Sequence, residues 1–236
     1  MKIRLGASNY SLSHAMSQTL KDSIRLLPRG TSLAHEGDQF ASVIIVQDGW
    51  LSTEKSLENG ARQLIDFVMP GDVLDPATAN GPTVALSVSA ITRVSLFIVP
   101  ADLWRDLLTE NQRVRDAVEH MRAAYRARVS ERILRLGRGD ARTRIAFALL
   151  EFCVRLDALG QSPNQSFHIP LTQAHIGDFV GLSAVHVSRV ISGFKKAGII
   201  ETDDHLDIYI TDLNALCHIA GIQAETLASE IRPVGT

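Results

Sequence analysis

The chain has 236 residues, 45% of them hydrophobic, with 24 Lys and Arg against 26 Asp and Glu. That length allows one large or two modest globular domains with full cores. No apolar run approaches the ~18 residues of a membrane span, and the opening Met1-Lys-Ile-Arg-Leu-Gly lacks the apolar segment of a secretory leader, which predicts a cytoplasmic protein. Cys153 and Cys217, the only cysteines, lie far apart in helical patterns. They support neither a disulfide framework nor a cysteine-held cluster and read as small buried apolar residues.

A weak helical pattern at roughly 8–22 opens the chain. From Ile24 to about Val99, short runs of Val, Ile, Leu and Phe are broken at Gly30, Gly37-Asp38, Gly49, Asn59-Gly60 and Pro70-Gly71-Asp72. Turn signals this close together predict an antiparallel β sandwich or barrel rather than βαβ units. Ser42–Gln47, Arg62–Val68 and Val84–Ser89 are the clearest strands, and Asn59-Gly60 predicts a hairpin. Pro100 then opens a helix through Leu108.

Residues 111–136 carry Val114, Val118, Met121, Tyr125, Val129, Ile133 and Leu136 in steps of three and four. This narrow apolar stripe on a long helix suits a two-helix coiled coil, so Val114, Val118, Met121, Tyr125, Val129 and Ile133 are candidate dimer contacts. Packing of the same stripe against the chain's own β domain is the alternative. The charge is uneven: residues 111–144 hold 10 Lys and Arg against 4 Asp and Glu, whereas residues 145–236 hold 5 against 10. The basic block is either a solvated helix face or a phosphate-facing one.

Gly137-Arg-Gly139 breaks the long helix, and Asp140 caps another that runs to Gly160. Past the polar cluster Gln161–Ser166, two short helices are joined by a glycine turn, the shape of a DNA-reading motif. Thr172 caps the first, with Ile176, Phe179 and Val180 inward and Gly181 at the turn. Ser183 caps the second. Val187, Val190, Ile191 and Phe194 face inward, leaving Ala184, Val185, His186, Ser188, Arg189 and Ser192 outward. Ile199–Glu201 and Leu206–Ile210 flank the polar turn Thr202–His205 and predict a hairpin wing, and Asp212–Ala220 closes the pattern as a short helix stopped by Gly221.

A glycine-punctuated β domain, a long helix and a winged helix-turn-helix, in that order, resemble the Crp/Fnr superfamily of bacterial transcription regulators over about residues 20 to 221. The carriers are Gly37-Asp38, Gly49, Pro70-Gly-Asp-Val73, Leu136-Gly-Arg138 and Ile176-Gly-Asp-Phe-Val-Gly-Leu-Ser183 with Val187-Ser-Arg189. The resemblance implies an α+β fold: an N-terminal β-roll or jelly-roll sensor-like domain with a short helix (1–110), a dimerisation helix (111–137) and a C-terminal winged helix-turn-helix (138–236). It further implies a homodimer, a palindromic double-stranded DNA site, RNA polymerase as a partner and an effector held by the β domain.

Position by position, the recognition helix matches the family's base-reading arginine with Arg189, but Val185 stands where many members carry a Glu. Arg189 can make the bidentate contact to guanine O6 and N7, Val185 can touch a thymine methyl, and His186 or Ser188 can add a hydrogen bond. Thr172, Gln173, Lys195 and Lys196 are candidate phosphate contacts; the two lysines also suit the helix dipole without any DNA. Cyclic-nucleotide binders carry a Gly-Glu pair and then an Arg-Ser or Arg-Thr pair after the Pro-Gly-Asp turn. Asp75-Pro76 and Val84-Ala85 occupy those positions, which argues against cyclic AMP or cyclic GMP at the usual site. The N-terminal cysteine cluster of iron–sulfur relatives is absent, and a heme is left to His14, His35 or His120. The effector is unknown.

Two other classes compete. An enzyme would need a Gly-x-Ser-x-Gly elbow, a His-Glu-x-x-His pair or a phosphate-cradling glycine loop, and the chain contains none of them. A ligand-binding or dimerisation module with a vestigial helix-turn-helix draws support from the thin basic content after residue 145.

Overall fold

Alternating apolar residues between close turn signals become strands, and the computed structural model places them in the first of two units. It describes residues 2–11, 20–203 and 207–232, and its contacts divide between Met1–Met121 and Arg122–Pro233. The first unit holds β1 (Lys2–Leu5), β2 (Ser8–Ser11), β3 (Ile24–Leu27), β4 (Ser32–Ala34), β5 (Ser42–Asp48), β6 (Leu51–Ser56), β7 (Arg62–Val68), β8 (Val73–Leu74), β9 (Ala77–Thr78), β10 (Gly81–Val84), β11 (Ser87–Ala90) and β12 (Val94–Pro100). Two four-stranded sheets, ordered β4-β11-β6-β7 and β3-β12-β5-β8, form its body, with β1-β2 and β9-β10 as separate hairpins. All pairs are antiparallel, and the β6–β7 hairpin closes around Asn59-Gly60 with Ser56 opposite Arg62.

Strands β5 and β12 are buried on both faces, which explains their nearly unbroken apolar runs. Ile44, Val46 and Leu96 face one cluster with Leu51, Val68 and Val88. Their neighbours Val43, Ile45, Phe97 and Val99 face a second cluster, covered by Trp104 and Leu107 of helix α1 (Ala101–Glu110) and by Val114 and Val118 of helix α2 (Gln112–Arg138).

Several expectations change here. The helical pattern at 8–22 begins instead as strand β2, paired with β1; its residues 12–19 lie outside the described ones. The strand expected at Val84–Ser89 is two strands, because Ala85 turns to donate its N–H to the Pro76 carbonyl at 2.7 Å and the two halves join different sheets. The dimer stripe is also corrected. Val114 and Val118 are 0% and 2% exposed, and Met121 packs against the same β cluster. Those three serve the chain's own core, where Val114 and Val118 leave water almost completely.

The second unit contains the rest of α2, then α3 (Ala141–Ala158), β13 (Ser166–His168), α4 (Gln173–Val180), α5 (Ala184–Lys196), β14 (Ile200–Thr202), β15 (Asp207–Ile210), α6 (Leu213–Ala220) and α7 (Ala224–Ile231). Asp140 caps α3 by accepting the Thr143 N–H at 2.8 Å, a bond that holds its carboxyl below the ordinary 3.8. Every residue of α3 from Ile145 to Leu156 is buried, so α3 is the axis around which the unit packs. The three strands form one sheet, β13-β15-β14, while Asp204, His205 and Leu206 at the wing tip lie outside the described residues. Helix α7 was not expected. Its N-cap Gln223 makes no side-chain bond and only Leu227 and Ile231 are buried, so capping and periodic signals are both thin.

The basic block proves to be neither wholly solvated nor wholly phosphate-facing. Arg128, Arg132 and Arg135 of α2 are buried; Glu151 of α3, 0% exposed, lies beside the first two, and Arg135 pairs with Glu131 of its own helix at 2.6 Å. Glu151 Oε1 is 3.6 Å from Arg128 Nε and 3.6 Å from the Arg155 guanidinium, and its Oε2 is 3.4 Å from Arg132 Nε. Arg135 donates from Nε to the Ala220 carbonyl at 2.9 Å and stacks over Phe147, while Arg132 stacks over Phe179.

Candidate nucleic-acid interface

The site is assembled from two capped helices held at a fixed angle by a close backbone approach. The Thr172 hydroxyl accepts the His175 N–H at 3.1 Å, and the Thr172 N–H donates back to His175 Nδ1 at 3.2 Å. This is a capping box closed by histidine instead of the usual Glu or Gln. Gly177 sits where a Cβ would meet the Leu182 carbonyl oxygen at 2.4 Å, so only glycine lets the turn fold back on α4. Gly181 ends α4 in the left-handed conformation at φ 68°. The Ser183 hydroxyl then accepts the His186 N–H at 3.3 Å to start α5, and the same oxygen is 3.1 Å from His186 Nδ1.

Helix α5 seats Val187, Ile191 and Phe194 in the core, with Val190 half-buried. Its opposite face is open. Ser183, Ala184, Val185, His186, Arg189 and Ser192 are all exposed, Ser188 is half-buried, and Val185 has 59% of its surface in solvent. Thr172 is exposed and Gln173 half-buried at the start of α4, and Lys195 and Lys196 are exposed at the end of α5. The predicted face is thus brought together on two neighbouring helices. Lys195 has a structural task that its sequence position does not advertise: its Nζ donates to the Thr202 carbonyl at 3.0 Å and ties the last turn of α5 to wing strand β14. Beside it, the Arg142 guanidinium lies over the Phe194 ring at 5.2 Å from its centroid.

Two features were missed by sequence reasoning. A histidine in a capping box carries no standard signature, although its spacing of three from Thr172 was visible. The Arg128, Arg132, Arg135 set recurs at helical spacing, but polar residues at such positions normally read as a solvent face.

On the effector side, Asp75 accepts the Ala77 N–H at 3.1 Å, and Val84 is 1% exposed in the β core. A cyclic phosphate there would face a carboxylate and a buried valine, so the residues do not fit that ligand. Of the heme candidates, His35 Nε2 is 3.1 Å from the Ser32 hydroxyl and His120 Nδ1 is 2.9 Å from the Asp116 carbonyl; His14 lies outside the described residues.

Two family models match: the Crp-like helix-turn-helix domain over residues 143–219 and the cyclic nucleotide-binding domain over residues 24–111. The chain belongs to the Crp/Fnr superfamily. Among its relatives, the transcriptional activator protein anr of Pseudomonas aeruginosa is 28% identical over 85% of this chain and 82% of its own length. The transcriptional activator protein FnrA of Stutzerimonas stutzeri is 27% identical over 84% and 80%. The solved structure of FixK2 from Bradyrhizobium japonicum is similar at a TM-score of 0.72 and 26% identity, covering 83% of this chain and 96% of that one. The Crp/Fnr assignment makes the chain a DNA-binding transcription regulator and not an enzyme, and the α+β expectation holds. No helix among the described residues is long and apolar enough to cross a membrane.

Proposed function

We propose that this Crp/Fnr chain works as a homodimer that reads a palindromic double-stranded DNA site with α5. The observation that carries this is the open face on which exposed Ala184, Val185 and His186 and half-buried Ser188 accompany exposed Arg189. Arg189 reads guanine through O6 and N7, a contact that discriminates by about 1–3 kcal/mol. Val185 reads by contact with a thymine methyl, so the operator differs from those read through a Glu. Ser183, His186 and Ser192 add hydrogen bonds, while Thr172, Gln173 and Lys196 hold phosphates and fix the register. Lys195 reaches a phosphate only with those of its protons that the Thr202 carbonyl leaves available.

The dimer contact moves to the second part of α2. Ala123, Ala127, Ser130, Leu134 and Gly137 follow in alternating steps of four and three, and all are exposed or half-buried. Small residues at such positions let two helices approach closely, with Leu134 as the knob. Ile133 (62% exposed) and Tyr125 are open beside this stripe, and Val129 is half-buried. The names of the relatives, transcriptional activators, support a productive contact with RNA polymerase. The cytoplasm, where DNA and polymerase are found, is the matching compartment.

Selection from a random duplex pool tests the proposal. The expected product is an inverted repeat with half-sites ~34 Å apart, one helical turn, and Arg189→Ala weakens binding to it by about 1–3 kcal/mol while leaving random duplex unaffected. A pool with no enrichment, or an unchanged preference in Arg189→Ala, overturns it.

A further inference from the structure

The second unit contains a solvent-open pocket of about 370 Å³, well apart in sequence from the α5 face, between α3, the turn that follows it and α7. That volume lies in the range of small-molecule sites. Leu150 and Val154 of α3, Leu213 of α6 and Ala224 and Ala228 of α7 give it apolar walls. The α7 wall falls outside residues 143–219, the part that matches the family's helix-turn-helix model.

Its polar groups converge on one side. The Ser162 hydroxyl, buried, is 3.6 Å from the Cys153 thiol. Burial pushes that thiol's pKa up, so the sulfur there is an uncharged S–H. Next to Ser162, Asn164 and Gln165 both line the cavity and both hold left-handed backbone, at φ 51° and 62°. Two successive non-glycine residues in that region are strained, and both border the cavity. At the mouth Arg232 donates to the Asp157 carboxylate, while the Glu225 carboxylate stands exposed at the rim.

We propose that this cavity is a binding site for a small uncharged amphiphile, an aliphatic or aromatic body with one carbonyl or hydroxyl head. The body fills the space between Val154 and Ala228, and the head exchanges hydrogen bonds with the Ser162 hydroxyl and the carboxamides of Asn164 and Gln165. Charge adds nothing comparable: Asp157 and Arg232 neutralise each other, Glu225 stands in solvent at the rim where an exposed ion pair contributes little, and an unpaired charge resists burial.

The test uses the full chain and the Cys153 thiol as reporter. N-ethylmaleimide labelling of Cys153 is followed by peptide mass spectrometry with acetanilide, benzoate or benzylammonium at rising millimolar concentration. Acetanilide is expected to slow labelling saturably by at least about tenfold, a differential of ~1.4 kcal/mol, with the two ions changing it less than about twofold. Ala228→Trp, which fills the cavity, removes the acetanilide effect while duplex binding persists. Ala224→Leu replaces it if the tryptophan prevents folding. Equal protection by the ions, protection that survives Ala228→Trp, no saturable protection, or a Cys153 that no reagent reaches each overturn the proposal.

Discussion

The two ends of α2 bury their inner faces by opposite chemistry. Near its start, Val114 and Val118 enter the β core beside Phe97 and Trp104. Farther along, the buried positions are Arg128, Arg132 and Arg135, next to Glu151, Phe147 and Phe179. The valines stabilise by leaving water, and each can be trimmed at a graded cost. The arginines stabilise by covering apolar surface with their stems and rings with their guanidinium planes, provided a carboxylate stays among them. A stripe of helical spacing therefore identifies a buried face, but the residue types on it decide whether that face fails gradually or all at once.

Substitutions at four positions test this contrast. Trp50 and Trp104, the two tryptophans of the chain, both belong to the first unit, so urea unfolding followed by tryptophan fluorescence reports the valine end and far-UV dichroism reports the helical end as well. Glu151→Gln is expected to cost the most, about 3–5 kcal/mol, because it leaves buried guanidinium groups without their counter-charge. The fluorescence transition should stay in place while the dichroism midpoint falls; a drop below about 1 kcal/mol would show that the cluster is solvated in solution. Val118→Ala should cost about 2 kcal/mol and shift the fluorescence transition, without changing the oligomeric state. A change from dimer to monomer in that variant would restore Val118 to the dimer contact.

Smaller effects follow at the surface. Asp140→Ala removes the cap of α3 and should cost about 1 kcal/mol. Because the carboxyl of Asp140 is held below its ordinary 3.8, its contribution is complete above that value and is lost as the pH falls through the lower folded-state one. The wild-type advantage should therefore vanish in strong acid, and an advantage that grows on acidification would contradict the cap geometry. Ile133→Asp should leave the stability of one chain within about 0.5 kcal/mol, since the residue is exposed, yet shift sedimentation toward monomer. An unshifted dimer would place the contact elsewhere.

Much of this molecule is legible in its sequence, for identifiable reasons. Gly181, Thr172, Ser183 and Asp140 each carry a local geometric demand that leaves few alternatives, so the helix starts and the turn of the DNA-reading motif could be placed residue by residue. The exposed face of α5 followed from period alone. What failed depended on contacts distant in sequence. Val114 and Val118 look the same whether they face a partner or β5, and Arg132 looks solvated until Glu151 of the next helix is beside it. Helix α7 and the strand break at Ala85 depend on a weak cap and on a carbonyl at Pro76, neither of which leaves a periodic trace.

The burial of those arginines also changes what the chain can offer to a polyanion. Of the five cations after residue 145, Arg155 is buried beside Glu151 and Lys195 bonds the Thr202 carbonyl. In that stretch few positive groups are left to displace counterions condensed on DNA, and each displaced ion contributes about 0.9 to the slope of log affinity against log salt. If Arg189 and Val185 read base edges as proposed above, operator affinity should fall with salt along a shallow slope, which binding titrations at several ionic strengths would measure.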